Sequence, residues 1–190
     1  MLSQNEFLKN VVEKLQKAGI DYVICGSVAA TFYGVTRSTL DTDIIIDPTR
    51  EQLTKFIELL GNECYVSSEA AFDALQRGAM FNVIDIDNSC KADLIIKKQT
   101  PFNAEEFRRK RKENLLGKAL YILSPEDSIL SKLAWAKQSR SEMQYRDIMA
   151  ILEARAGQLD MKYLNKWAKV LNVEDDLNRC LSQINDLNQK

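Results

Sequence analysis

A run of three consecutive isoleucines constrains the fold of this chain more than any other sequence feature. Ile44, Ile45 and Ile46 make an extended segment apolar on both faces, because neighbouring side chains of a strand point to opposite faces. Such a strand is typical of the centre of a sheet that is covered on both sides. The sequence therefore predicts a central strand from Thr42 to Asp47 and a fold of the α/β type.

Hydrophobic periodicity predicts further helices and strands around this strand. The predicted helices cover residues 3–18, 27–33, 48–60, 101–114 and most of the chain from 125 onward, and the other predicted strands cover 20–25, 80–86, 91–97 and 118–123. Asp47 and Pro48 are interpreted as the N-cap and first residue of the third helix. We expect an α/β (α+β) fold, with a mixed sheet flanked by helices in residues 1–123 and a C-terminal helical region in residues 124–190 packed on it.

Composition excludes several classes of site. The chain has 190 residues, a formal net charge of −1 and no histidine, which excludes His-dependent nucleophiles and His-ligated zinc. None of the four cysteines forms a C-x-x-C pair, so buried thiols in a reducing compartment are expected. The chain has no apolar run of about 18 residues and no signal-peptide pattern, so we expect a cytoplasmic protein.

Two aspartates, Asp41 and Asp43, open the isoleucine strand. The two-residue period of a strand places their side chains on one side, where their like charges call for a counter-cation. Carboxylate oxygens in this arrangement suit Mg²⁺ together with substrate phosphates. The alternative for an isolated D-x-D is a pair of solvated aspartates at an exposed strand start.

Other polar residues accompany the aspartate pair. Gly26 and Ser27 end one predicted strand and open a helix, where backbone N–H groups and a hydroxyl are able to hold a phosphate. The alternative for Ser27 is a simple helix cap. Arg37, shortly before the aspartates, adds a positive charge to such a pocket.

A third carboxylate is predicted on the next hairpin. Asp93 stands within an apolar strand, where an acidic side chain is costly unless it is paired or binds a metal. Asp85 and Asp87 compete for this role. They lie nearer the turn, where solvent is expected to satisfy them, so Asp93 is the preferred candidate.

These residues carry a family resemblance. Gly26-Ser27, then Asp41-Thr42-Asp43 before an apolar run, then Asp93 on another strand, resemble the nucleotidyltransferase superfamily typified by DNA polymerase beta. Within it, the chain looks like the minimal nucleotidyltransferases and the AbiEii abortive-infection toxin family. A helical Lys motif at residues 131–134 and an Arg-Asp motif at 146–148 support the likeness, although the family's further Asp is Ala150 here.

The resemblance implies a nucleotidyltransferase fold and a Mg²⁺-dependent transfer of NMP from an NTP to a hydroxyl acceptor. Asp41, Asp43 and Asp93 are implied as catalytic residues and ligands of one or two Mg²⁺ ions. Asp93 completes a second metal site or acts as the base for the acceptor hydroxyl.

The resemblance also implies a nucleotide site. Gly26, Ser27 and Arg37 are implied to bind the triphosphate, and Lys132 to neutralise the leaving pyrophosphate. Asp147 is implied to orient Lys132 or to contact the acceptor. The alternatives are that Lys132 is a solvated helix residue and that Arg146-Asp147 forms a salt bridge between helices.

The acceptor stays open between tRNA, protein and small molecules, and the family likeness implies a toxin role with an antitoxin partner. Residues 97–118 hold eight basic and three acidic residues, which is typical either of an RNA-facing surface or of a solvated helix end. Two competing functions remain: a catalytically silent binding or regulatory module, and a small-molecule phosphotransferase. P-loop and G-x-G-x-x-G motifs are absent from the sequence.

Overall fold

The computed structural model of this protein describes residues 3–36, 41–88, 90–139 and 141–188. The helices are α1 (Gln4–Ala18), α2 (Gly26–Phe32), α3 (Arg50–Leu60), α4 (Ser68–Arg77), α5 (Pro101–Arg108), α6 (Pro125–Ser139), α7 (Glu142–Ala154), α8 (Met161–Val170) and α9 (Glu174–Asn188). The strands are β1 (Asp21–Ile24), β2 (Asp41–Asp47), β3 (Cys64–Tyr65), β4 (Met80–Asp85), β5 (Lys91–Ile96), β6 (Arg111–Leu115) and β7 (Lys118–Ile122). No described helix is both long enough and apolar enough to cross a membrane.

The strands of the described residues form a single mixed sheet in the order β3-β4-β5-β2-β1-β7-β6. Strand β2 lies at its centre, parallel to β5 and antiparallel to β1, which confirms the central position predicted from the isoleucine run. Ile44 and Ile46 are fully buried, whereas Ile45 on the opposite face is only partly buried. One face of the central strand is therefore closed, and the other is more open than the sequence predicts.

The first helix follows its sequence pattern closely. Ser3 and Glu6 form a capping box, and Gly19 ends the helix in the left-handed conformation. Its apolar stripe is buried, as the helical spacing predicts; the buried residues are Phe7, Leu8, Val11, Val12, Leu15 and Ala18. This stripe belongs to the core on the closed side of the sheet, where α1 contacts α3.

The predicted start of α3 is wrong by two residues. Thr49, rather than Asp47, is the N-cap: its hydroxyl accepts from the backbone N–H of Gln52, and the Gln52 side chain accepts from the backbone N–H of Thr49. Asp47 instead ends β2 and pairs with Lys97. The reciprocal capping box satisfies two helix-end donors, which Asp47 and Pro48 do not achieve.

The predicted helix over 101–114 is also wrong in its second half. Helix α5 ends at Arg108, and Arg111–Leu115 forms β6, an edge strand antiparallel to β7. Leu116 and Gly117 join the two strands with φ values of 57° and 76°. Positive φ at both central residues is typical of a two-residue hairpin turn. Pairing with β7 outweighs the helix propensity of this charge-rich sequence, which therefore forms a strand.

Other predicted elements are confirmed. Strands β4 and β5 form the expected antiparallel hairpin, and the Ser124 hydroxyl accepts from the backbone N–H of Asp127 at the start of α6. In the described residues, the C-terminal helical region predicted from residue 125 onward consists of α6, α7, α8 and α9.

Contacts divide the described chain into two compact units. The first comprises residues 3–28 and 41–122 with the whole sheet, and the second comprises 29–36 and 123–188 with the four C-terminal helices. The second unit has its own core, in which the Tyr33 hydroxyl donates to the carbonyl of Leu123 at 2.7 Å. The predicted division into 1–123 and 124–190 stays a prediction.

Candidate functional site

Asp43 and Asp93 are direct neighbours across two parallel strands. The register of β2 and β5 pairs Asp43 with Asp93, and neighbouring strands lie about 4.8 Å apart with paired side chains on the same face. Thr42 and Ile44, which flank Asp43, are fully buried on the other face. The two carboxylates therefore share the more open face of the sheet, as predicted for residues that act together.

The Asp43 carboxylate lies directly against the backbone of Gly26. The Cys25 N–H donates to the Asp43 carbonyl at 2.9 Å, which ties the end of β1 to β2. Gly26 has a φ of +59°, and a Cβ built on it would lie 2.7 Å from Cγ of Asp43 and overlap the carboxylate. Only glycine leaves room for this approach, so the predicted convergence of the Gly26 turn with Asp43 is observed.

Asp93 is held by two side chains that sequence reasoning missed. It is 9% exposed, and its Oδ1 accepts from Nδ2 of Asn82 at 2.5 Å and lies 3.1 Å from Nζ of Lys91. Asn82 is the register partner of Asp93 on β4. Lys91 lies two residues before Asp93 on β5 and therefore on the same face. Once the turn between β4 and β5 is located, the register of the hairpin predicts that Asn82 is the cross-strand partner of Asp93.

Of the two rival aspartates, only Asp85 differs from the expectation. Asp85 is buried, and its Oδ1 accepts from the backbone N–H of Asn88 at 2.7 Å and from its side-chain Nδ2 at 2.9 Å. The expectation that solvent satisfies Asp85 is thus wrong, since the turn itself does so. Asp85 also alternates with Asn82 along β4, so it faces away from Asp93. Asp87 is exposed.

Three other predicted residues are described in part or not at all. Asp41 pairs with Lys91 through the backbone, and its side chain lies outside the description. Arg37 also lies outside the described residues. Ser27 is the second residue of α2 rather than the residue before it, so it does not occupy the N-cap position proposed as the alternative. The contribution of Arg37 and of the Asp41 carboxylate stays a prediction.

The described part of the site fits a divalent cation. In the described ranges, no three Cys, Asp or Glu side chains converge on one point. Asp43 and Asp93 supply hard carboxylate oxygens from adjacent strands, and Mg²⁺ in proteins is held by one or two carboxylates plus substrate phosphates. The cradle at Gly26 fixes the position of one of these carboxylates. The donor set thus suits magnesium, and Asp43 is the carboxylate whose position is best defined by its surroundings.

Lys132 and Asp147 form a buried ion pair between α6 and α7. Nζ of Lys132 lies 2.8 Å from Oδ2 of Asp147 and donates to Oε1 of Gln144 at 3.0 Å, and the two charged side chains are 7% and 2% exposed. Lys132 is therefore not the solvated helix residue of the alternative interpretation. Arg146 is exposed and lies 3.8 Å from Glu142 on its own helix, so it is Lys132, not Arg146, that links the helices. Asp147 therefore forms an ion pair between the two helices, and the functional roles implied for Lys132 and Asp147 stay predictions.

Many basic residues of the stretch 97–118 have acidic partners. At least four of the eight pair with acidic side chains; these pairs are Lys97–Asp47, Arg108–Glu105, Lys110–Asp21 and Lys118–Glu13. Lys110 also lies over the rings of Phe107 and Tyr121. Paired cations offer less attraction to a phosphate backbone, so these contacts favour the solvated-surface interpretation over an RNA-facing one.

Comparison with known proteins identifies the fold. No protein-family profile and no curated protein sequence matches this chain. Among solved structures, the antibiotic-resistance factor ANT(2'')-Ia in complex with adenylyl-2''-tobramycin aligns at a TM-score of 0.61 and 13% identity, over 90% of this chain and 98% of that one. Its solution structure aligns at 0.58 and 11% identity, over 98% and 97%. An antigenic nucleotidyltransferase-like protein from Paracoccidioides brasiliensis aligns at 0.58 and 15% identity, over 93% and 91%.

These alignments extend over nearly the whole of each chain, while the sequence identity is low. The protein has the nucleotidyltransferase fold, in which a mixed sheet is flanked by helices and followed by a C-terminal helical region. The expected fold class is therefore confirmed.

Proposed function

We propose that this protein transfers a nucleoside monophosphate from an NTP to a hydroxyl acceptor in a Mg²⁺-dependent reaction. The observation that carries the proposal is the position of the Asp43 carboxylate, which fills the space above Gly26 and stands beside Asp93 on the next strand. Phosphoryl transfer depends on groups that hold the phosphates and on metal ions held by carboxylates, so a glycine turn beside two carboxylates supports this chemistry. The fold supports the same class of reaction.

The family resemblance gives each residue a proposed role. Asp43 and Asp41 hold the metal, and Asp93 takes the proton from the acceptor hydroxyl. The backbone N–H groups of Gly26 and Ser27 hold phosphate oxygens of the NTP. The bound ion supplies charge neutralisation at the phosphates. The acceptor oxygen forms a bond to the α-phosphorus while the bond to the bridging oxygen of the β-phosphate breaks, and pyrophosphate leaves.

The resemblance also gives Arg37 and Lys132 proposed roles toward the nucleotide. Arg37 precedes β2 and contributes a guanidinium to the triphosphate. The buried ion pair with Asp147 supports the proposed orientation of Lys132, whose ammonium neutralises the leaving pyrophosphate. These two roles rest on the family resemblance.

The proposal defines the acceptor only by its reacting group, which is a hydroxyl. The paired basic stretch favours a protein or a small-molecule acceptor over tRNA. The helical Lys and Arg-Asp motifs support a relationship to the AbiEii-like toxins, and with it an antitoxin partner. A toxin role predicts that expression arrests growth and that a neighbouring gene product relieves the arrest.

Product mass tests the proposal. The protein is incubated with the four NTPs, Mg²⁺ and each acceptor class in turn: tRNA, a serine- and tyrosine-containing protein, and an aminoglycoside. The expected result is one acceptor whose mass increases by a nucleoside monophosphate, with release of pyrophosphate. Gain of a single phosphate identifies a phosphotransferase instead.

A second candidate is a catalytically silent module that binds NTP without transferring it. The contacts of Lys91 and Asn82 with the same oxygen of Asp93 favour it, because they occupy the carboxylate assigned as base. Nucleotide binding with no product from any acceptor identifies this function.

A further inference from the structure

A row of three polar side chains crosses the more open face of the sheet at the candidate site. The register pairs Asp43 of β2 with Asp93 of β5, and it pairs Asp93 with Asn82 of β4. Cross-strand partners in an antiparallel pair lie on the same face, with Cβ atoms about 5 Å apart. Since β5 lies between β4 and β2, Asn82 is the neighbour of Asp93 on the side away from Asp43.

The amide of Asn82 holds one oxygen of the Asp93 carboxylate. Its Nδ2 donates a hydrogen bond to Oδ1 of Asp93 at 2.5 Å. The terminal torsion of an aspartate side chain is broad, so an aspartate without such a contact samples a range of carboxylate orientations. A hydrogen bond from the adjacent strand narrows that range, because β4 and β5 are paired in register from Met80 to Ile84.

Lys91 also approaches Oδ1 of Asp93, with its Nζ 3.1 Å away. Its side chain is 38% exposed, and a lysine ammonium is carried on a flexible four-carbon stem. The amide of Asn82 is carried on a much shorter side chain directly opposite Asp93 in the register. The orientation of the carboxylate therefore depends more closely on Asn82 than on Lys91. An amide is also uncharged, so it holds Asp93 without adding a positive charge to the site.

We propose that Asn82 is a positioning residue, which holds Oδ1 of Asp93 so that the other oxygen, Oδ2, takes the proton of the acceptor hydroxyl. This inference rests on the proposed function, in which Asp93 is the base. Asn82 and Lys91 both contact Oδ1, so their contacts leave Oδ2 for the acceptor. A general base must lie within hydrogen-bond reach of the proton that it removes, and a misplacement of about 1 Å is enough to reduce the rate by about 100-fold.

A cycle of variants at positions 82 and 93 tests the inference. Transfer of α-phosphate label from an NTP to the acceptor that gains mass is measured, with Mg²⁺, for the wild type, Asn82→Ala, Asp93→Asn and the double variant. Asn82→Ala is expected to lower kcat by about 10- to 100-fold while KM for the NTP changes by less than about 2-fold. In the Asp93→Asn background the same substitution should change kcat by less than about 2-fold, because no base is left to position.

Two further variants separate this role from a general effect on the structure. Asn114→Ala is the matched control, because Asn114 is an exposed asparagine on β6, at the far edge of the same sheet, and it is expected to leave kcat and KM unchanged. Asn82→Val, whose β-branched side chain favours a strand, is measured beside Asn82→Ala and is expected to lower kcat to a similar extent. Loss of the fold in both variants at position 82 would give Asn82 a structural role and overturn the inference.

Each outcome has a distinct meaning. An unchanged kcat in a folded Asn82→Ala variant overturns the inference and leaves the proposed function intact. Equal losses in the wild-type and Asp93→Asn backgrounds also overturn it, because Asn82 then acts independently of Asp93. If Asp93→Asn has no measurable rate, the kinetic constants of Asn82→Ala decide, and a raised KM with kcat unchanged overturns the inference. A wild type that transfers no label to any acceptor class contradicts the proposed function itself.

Discussion

Gly26 leaves open the volume that the carboxylate of Asp43 fills. No other residue allows this approach, since any Cβ at position 26 would overlap the carboxylate and the backbone there has a φ of +59°. The contact joins the turn after β1 to the first half of β2. A substitution at position 26 therefore tests both the geometry of the turn and the position of the proposed metal ligand.

Gly26→Ala is expected to abolish nucleotide binding and to lower the free energy of unfolding by more than backbone strain alone. A left-handed backbone costs a non-glycine residue roughly 1–2 kcal/mol. Gly78→Ala is the matched control, because Gly78 has a φ of +64° and nothing within 4 Å of a built Cβ. Urea denaturation and calorimetric titration with Mg²⁺–NTP measure the two effects. Equal destabilisation of the two variants, with binding retained in Gly26→Ala, would contradict the close contact.

The buried pair of Lys132 and Asp147 is expected to be important for stability. Removing one partner leaves an uncompensated buried charge, so Lys132→Met should lower the free energy of unfolding by about 3–5 kcal/mol. Arg146→Met, which removes an exposed cation from the same region, should change it by less than about 1 kcal/mol. The double variant Lys132→Met/Asp147→Leu should be less destabilised than the sum of its parts. Additive losses in urea denaturation would show that the two side chains do not interact.

A second buried polar contact stabilises the helical unit. The Tyr163 hydroxyl of α8 donates to Oδ1 of Asp127 at 2.5 Å, and Asp127 is fully buried. Tyr163→Phe should cost about 1–3 kcal/mol, because it leaves a buried acceptor with one fewer donor. Tyr145→Phe is the matched control, since its hydroxyl bonds Asp176 at 3.1 Å in a half-buried place, and a cost of about 1 kcal/mol or less is expected. Thermal or urea unfolding measures the loss of stability in each variant. A larger loss of unfolding free energy in Tyr145→Phe than in Tyr163→Phe would contradict this prediction.

Alkaline pH should destabilise the protein through its buried thiols. Burial raises the pKa of the Cys180 thiol above the ordinary value of a thiol. Well below the ordinary thiol pKa of about 8.5, Cys180 is protonated in both the folded and the unfolded chain. As pH rises past that value the unfolded chain ionises first, so the stabilisation is lost progressively until pH has passed the folded-state pKa. Cys180→Ala should flatten the fall in unfolding free energy between pH 9 and 10, by at most about 1.4 kcal/mol per pH unit. Cys90→Ala, at a half-buried thiol, should flatten it less, and an unchanged slope in Cys180→Ala would contradict the assignment.

The sequence predicts the centre of the fold and part of the site because both depend on local pattern. The isoleucine run indicates a central strand, and the Asp-x-Asp pair and the Gly-Ser turn are local signals. Asn82 and Lys91 escape notice because their importance comes from the register between strands, which no single segment encodes. The prediction that solvent satisfies Asp85 fails for a similar reason, because its partner Asn88 lies in a turn whose shape depends on the hairpin.

Strand β6 shows that helix propensity alone does not determine the structure of a segment. Arg111–Leu115 is rich in residues that favour helices, and a partner strand is required to extend it. The turn formed by Leu116 and Gly117 is the local sign of that hairpin, with glycine at a position of positive φ. The start of α3 differs from expectation for a related reason: Thr49 and Gln52 form a reciprocal cap that outweighs the Asp47-Pro48 signal.

Transfer of label from the α-phosphate of an NTP, compared between the wild type and Asp43→Asn, tests the central claim most directly. Asp73→Asn is the control, since Asp73 is an exposed acid paired with Arg77 on α4. We predict that α-phosphate label enters the acceptor, that γ-phosphate label leaves as pyrophosphate, and that Asp43→Asn reduces the rate by about 100-fold or more while Asp73→Asn does not. Transfer of γ-phosphate label to the acceptor, or an undiminished rate in a folded Asp43→Asn variant, would contradict the account.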